Sequence, residues 1–98
     1  MAEAYFKDAL YEGLSLRSRA DAAFDACYVY AMALLGPDSQ GRPHPHPDIL
    51  HRAAEKLGWP QSAMEPAVQQ LHARDDPLRD GSRFESLMVL ARRIRGAI

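Results

Sequence analysis

The sequence predicts an all-α protein: a compact up-and-down bundle of four to five helices, forming one domain over residues 1–98. Three observations carry that reading. Between Ser18 and Leu35, Ala20, Phe24, Cys27, Ala31 and Leu34 recur at steps of four, three, four and three, which is one stripe of an α-helix. Three Ser-x-x-acid signals, Ser18/Asp21, Ser62/Glu65 and Ser82/Glu85, each precede an apolar-periodic run, as an N-cap followed by an acid at N3 does. No stretch alternates apolar and polar residues as a half-buried strand does, and no segment repeats another.

The first helix is expected from about Ala2 to Leu14, with Phe6, Leu10 and Leu14 four apart and Glu3 placed where the helix dipole favours an acid. The second, from Ser18 to Leu35, is central. Tyr28, Leu35 and Ala23 widen its apolar stripe, so neighbours must cover it on more than one side. Gly36-Pro37 ends it. Residues 36–47, with four prolines and two glycines in GPDSQGRPHPHP, read as a loop longer than a usual helix connection. The third helix opens near Pro47-Asp48 and turns Ile49, Leu50, Ala53, Ala54 and Leu57 inward. Gly58 stops it, and Trp59 is expected to fold back as a plug between helices. The fourth runs from about Ala63 to Arg74 with Met64, Val68 and Leu71 inward. The last spans about Arg83 to Arg95 with Phe84, Leu87, Met88, Ala91 and Ile94 inward.

Composition bounds function. A net charge of −1 gives no overall attraction to nucleic acid or acidic membranes. The single cysteine, Cys27, excludes an intrachain disulfide and reads as a small buried hydrophobe. The start, MAEAYFKDALYEG, resembles neither a signal nor a transit peptide, and no apolar run reaches the roughly 20 residues a bilayer span needs. The expectation is a cytoplasmic chain without a membrane partner. Ten of its twelve basic residues are Arg, in keeping with GC-rich, bacterial coding.

Candidate sites are few. His44, His46 and His51 are the clustered metal-capable side chains. Two of them stand in a proline-spaced loop without a cysteine, so a polar surface loop explains them better than a metal site. Arg92, Arg93 and Arg95 complement a helix C-terminus; joined by Arg17 and Arg19, and by Arg79 and Arg83, they are the candidate patch for RNA or a nucleotide. Asp75, Asp76 and Asp80 read as turn formers and surface ion-pair partners beside Arg74 and Arg79. Asp21 and Asp25, four apart, share a face that meets solvent or pairs with arginines. Tyr5, Tyr11, Tyr28, Tyr30 and Met32 exceed what a small core needs, and are the candidate surface for a homodimer built on the first two helices. No nucleophile–base spacing, phosphate loop or cofactor motif is present, so the reading assigns no catalytic residue and no cofactor.

The central helix also resembles the signature helix of HEPN-type domains, in Arg19, Ala23, Phe24, Ala26, Tyr28, Ala31, Ala33, Leu34 and Leu35. The tail LHARDDPLRDGSRFESLMVLARRIR has the form of their Arg-containing turn and short final helix. The ribonucleases of that group carry an Arg and, four to six residues intervening, a His five to seven positions on. Here Arg42 has His46 four on and His51 nine on, and no Arg meets the spacing. The resemblance therefore implies a non-catalytic member. It would act as a dimer, bind RNA or a nucleotide, or partner a minimal nucleotidyltransferase in toxin–antitoxin or stress systems. The leading expectation is a non-enzymatic interaction module. The alternative is an RNA- or nucleotide-binding protein using its Arg-bearing helix ends.

Overall fold

The computed structural model describes residues 2–39 and 45–98. Five α-helices run in order: α1 Ala2–Leu10, α2 Leu16–Leu35, α3 Pro47–Leu57, α4 Glu65–Ala73 and α5 Phe84–Ala97. Two short 3-10 turns, Gly36–Ser39 and Gln61–Met64, follow α2 and precede α4. No described residue lies in a strand. The bundle measures 34 × 25 × 24 Å.

Helix α2 is central because its small residues let every other helix approach it. Ala20, Ala23, Ala26, Cys27 and Ala31 are wholly buried, and α1, α3, α4 and α5 all touch this helix. The large side chains that fill the gaps come from its neighbours. Ile49 and Leu50 of α3 and Leu87 and Ile94 of α5 are fully enclosed, each contributing roughly 2 kcal/mol by removal from water. The inward faces expected for α3 and α5 are the faces observed, save that Leu57 is only partly covered.

Helix boundaries depart from expectation in instructive ways. α1 ends at Leu10, not Leu14, because the Tyr11 N–H turns back to the Asp8 carbonyl at 3.1 Å and the Leu14 N–H to that of Tyr11 at 3.2 Å. Its buried residues are Phe6 and Ala9, which leaves Leu10 and Leu14 exposed. None of the three expected serines caps a helix. α2 starts one turn early, on Ser15, whose hydroxyl accepts from the Ser18 N–H at 3.1 Å. Ser62 lies inside the 3-10 turn Gln61–Met64. Ser82 is held backwards, its N–H bonded to Asp80 Oδ1 at 2.9 Å, and Arg83 stands at the N-cap of α5.

The 36–47 segment is a 3-10 turn over Gly36–Ser39 before the chain passes through 40–44, outside the described residues, to α3. Lys56 Nζ donates to the Leu34 carbonyl at 2.8 Å, so α3 closes the C-terminal end of α2. At the end of α3, Gly58 adopts φ 72°, which favours a residue without Cβ. Its N–H and that of Trp59 return to the Glu55 and Ala54 carbonyls, completing a Schellman motif. Trp59 packs partly buried against the core, under the Arg93 guanidinium at 4.4 Å from its ring.

Candidate functional site

Two features remain after the core is accounted for: a polar cleft beside the N-terminal half of α2, and an apolar turn at the end of the bundle from which that helix starts.

The α4–α5 connection builds one wall of the cleft. Asp76 Oδ1 accepts the Leu78 N–H at 2.9 Å, Asp80 accepts that of Ser82, and these two Asx turns shape the segment as its composition implied. The Ser82 hydrogen bonds hold the Asp80 carboxyl below the usual carboxylate range. Gly81 then presses against α2. A Cβ there would overlap the Leu16 side chain and stand 2.6 Å from its carbonyl oxygen, so only glycine permits the approach. The approach delivers Arg79 to Asp21 in a two-pronged pair, Nη2 to Oδ2 at 2.9 Å and Nε to Oδ1 at 3.3 Å. The hydrogen bond to Asp21 raises the Arg79 pKa further.

Gln70 of α4 reaches the same carboxylate, its Nε2 donating to Asp21 Oδ1 at 3.0 Å. The α4 face expected inward was Met64, Val68 and Leu71. The buried residues are Met64, Ala67 and Gln70, with Val68 and Leu71 partly covered, because the preceding 3-10 turn shifts the phase of the helix. Gln70 is 1 % exposed, and its Oε1 has no hydrogen-bond partner among the described residues. A buried acceptor left this way costs roughly 1–3 kcal/mol.

Asp21, Phe24, Asp25, Gln70, Arg74, Asp75 and Arg79 line the resulting cleft, of about 380 Å³. Burial pushes the Asp25 carboxyl above its ordinary range; the Arg74 charge opposes that and the Asp21 charge adds to it. Arg74 sits 5.7 Å from the Phe24 ring centre. A second, more apolar hollow of about 270 Å³ shares Phe24, Asp25 and Arg74 and extends toward Tyr28, Val29 and Met32.

The second feature is the α1–α2 turn. Leu10, Tyr11, Leu14 and Leu16 are 46, 63, 37 and 51 % exposed within seven residues. Leu78, in the segment that Gly81 docks against Leu16, is 89 % exposed. Single exposed leucines are ordinary; four large apolar residues exposed within seven positions are not.

The expected site residues are dispersed among structural tasks. The tyrosines do not form one surface. Tyr28 is buried, its hydroxyl accepting the His46 N–H at 2.8 Å, and Tyr30 is buried, donating to Glu3 Oε1 at 2.8 Å. Both phenols are held above their usual pKa, chiefly by burial. Tyr5 and Met32 are partly buried against the core, so only Tyr11 of the set is exposed. His46 is the N-cap of α3, its Nδ1 accepting the Asp48 N–H at 3.1 Å. His51 Nδ1 bonds Gln61 Oε1 at 2.8 Å, tying α3 to the turn after it. His44 lies outside the described residues. Among the described residues, no three His, Cys, Asp or Glu side chains are grouped to hold a metal ion.

Four of the arginines lie over aromatic rings of the core. Arg19 stacks on Phe84 at 4.5 Å and bonds the Ala9 carbonyl; Arg93 stacks on Trp59. Arg92 and Arg95 lie over Phe6 at 6.0 and 5.1 Å, and Arg95 also pairs with Glu3 at 3.3 Å. Arg17 is exposed on the first turn of α2. Arg19, Arg92, Arg93 and Arg95 thus cover three aromatic rings, Arg92 and Arg95 sharing Phe6, at roughly 0.5–1 kcal/mol each.

Sequence reasoning missed Gln70; it offered arginines as partners of Asp21 but did not single out Arg79, which comes from a connection and not from a helix. The paired-acid spacing of Asp21 and Asp25 was the available signal; a glutamine on a short helix reads as solvent-facing. No protein-family model, curated protein or solved structure matches the chain.

Proposed function

We propose that this chain is a small non-enzymatic interaction module that works as a homodimer through the α1–α2 turn. The observation that carries the reading is the exposed run of Leu10, Tyr11, Leu14 and Leu16. A two-fold interface needs a self-complementary surface. Here exposed Glu12 and Arg17 flank the apolar residues with opposite charge, so Arg17 of one subunit can meet Glu12 of the partner subunit across the axis. The expected dimer on the first two helices is thereby retained in kind and moved from Tyr28 and Tyr30 to the turn.

The HEPN-like resemblance supports a second protein, a minimal nucleotidyltransferase, as a further partner of such a dimer. The near-neutral charge and single buried thiol support a cytoplasmic setting. Among the described residues no helix is long and apolar enough to cross a membrane. RNA binding receives less support, because Arg19, Arg92, Arg93 and Arg95 are already engaged over rings of the core.

Sedimentation across micromolar concentrations tests the proposal. The native chain is expected to approach twice its monomer mass. Leu10→Ser combined with Leu14→Ser is expected to sediment as a monomer with unchanged helix content. A native chain that stays monomeric at every concentration removes the homodimer.

A further inference from the structure

We propose that the apolar hollow beside α2 binds a small neutral aromatic amide, its ring against the hollow's aromatic walls and its carboxamide edge between Asp25 and Arg74. Two observations on one hollow carry the argument. The first is the lining. Tyr5 of α1, Phe24, Tyr28, Val29 and Met32 of α2, and Pro45 before α3 surround a space of about 270 Å³. Apolar and aromatic walls with a few polar groups are the ordinary make-up of a small-molecule site, and this volume suits one or two rings rather than a large cofactor. The walls are set in advance. The Tyr28 hydroxyl is held by the His46 N–H at 2.8 Å, and its ring packs 5.9 Å from that of Phe24, so little order has to be gained when a ligand arrives.

The second observation is an ion pair left open. Asp25 and Arg74 both line the hollow and the Arg74 charge acts on the Asp25 carboxyl, yet no hydrogen bond or ion pair joins them among the described residues. The neighbouring Asp21 carboxylate, by contrast, is closed on Arg79 and Gln70. Arg74 lies over the Phe24 ring, 5.7 Å from its centre. One hollow is thus lined by an acceptor and a donor of opposite charge that do not bond each other. The opposed charges choose the ligand class. A cation meets Arg74, and an anion meets Asp25. A neutral carboxamide carries N–H and C=O side by side, so its N–H donates to the Asp25 carboxylate and its oxygen accepts from the Arg74 guanidinium, both charge-assisted hydrogen bonds. A flat ring matches the aromatic walls. None of the exposed apolar residues of the α1–α2 turn lines the hollow, so the site does not depend on self-association.

The test is a magnetic-resonance titration of the full chain with benzamide, and with benzoate and benzamidine, which keep its size and shape but carry a negative and a positive charge. Benzamide is expected to saturate at one equivalent, to shift the resonances of Tyr5, Val29 and Met32, and to bind about tenfold or more tighter than either charged relative. Val29→Trp fills the hollow and is expected to abolish binding. Arg74→Met keeps an apolar stem and removes the donor, so benzamide should weaken about tenfold and benzamidine should bind tighter than benzoate. In Asp25→Asn the order of the two charged probes should be the opposite. That exchange is a charge readout which a purely structural role would not move, and both of these variants are expected to keep native helix content. No saturable shift with benzamide overturns the site, as does tighter binding of benzoate or benzamidine to the native chain. Native affinity in Val29→Trp, or one order of the charged probes in both Arg74→Met and Asp25→Asn, overturns it equally.

Discussion

In the C-terminal half of α2, residues 26–35, each polar side chain ends on a partner inside the chain. Cys27 Sγ donates to the Leu87 carbonyl at 3.3 Å, Tyr28 meets His46 and Tyr30 meets Glu3. In the N-terminal half, residues 16–25, Leu16 and Arg17 face solvent, Asp21 depends on an arginine 58 residues away, and Asp25 has no hydrogen bond among the described residues. The same helix is thus finished at one end and open at the other. The alanine stripe is common to both halves, so core packing does not make the difference. It comes from the covering elements: α1, α3 and α5 bring hydrogen-bonding partners to the closed half. The open half is met by Gln70 of α4, by the Ala9 carbonyl of α1 through Arg19, and by the irregular α4–α5 connection through Arg79, and these leave Leu16 and Arg17 exposed.

Three substitutions sharpen that contrast. Ala31→Leu, in the closed half at a wholly buried position, should be the most damaging, lowering unfolding free energy by about 3 kcal/mol in denaturant titration, because the packed neighbours cannot withdraw. Gly81→Ala should cost about 2 kcal/mol by pushing the connection off Leu16. Unlike Ala31→Leu, it should act on the open half, so amide exchange should accelerate along residues 74–83 while α3 and α5 keep their protection.

Asp25→Asn should have the smallest effect and the opposite sign. Burial raises the Asp25 pKa in the fold, so the folded state holds its proton to higher pH than the unfolded chain does. The favourable contribution is complete below the ordinary carboxylate range and is lost as pH rises through the folded value. At neutral pH the charged group therefore detracts from stability. The substitution should raise the thermal midpoint slightly near pH 7, with the gain shrinking toward acid. A gain independent of pH would show that the carboxylate charge is not its origin.

The inward faces of α3 and α5 were the most legible part of the fold. The apolar stripe of α5 and most of that of α3 appear at their true positions because apolar periodicity follows directly from helical geometry, and a helix with one exposed face admits one phase. The caps were not legible in the same way. Ser-x-x-acid fits an N-cap, yet Ser82 is captured by Asp80 two residues earlier, and nothing in the spacing ranks the two local hydrogen bonds. Tyrosine burial was misjudged because its partners, Glu3 for Tyr30 and His46 for Tyr28, come from other elements. The cleft was hidden for a like reason. Arg79 and Gln70 meet Asp21 only because a glycine lets the connection approach α2 and a 3-10 turn rotates α4, and neither effect has a periodic signature.

Cys27 has a consequence for the chemistry of the whole chain. Its thiol is fully enclosed and bonded to Leu87, and burial pushes its pKa far above the ordinary thiol range, so the folded protein forms essentially no thiolate. Alkylating reagents and oxidants attack the thiolate, and here they must wait for α2 and α5 to part. The sole sulfhydryl therefore acts as an internal clock: the rate at which it is modified in native buffer reports how often the entire bundle opens, free of any contribution from the frayed ends.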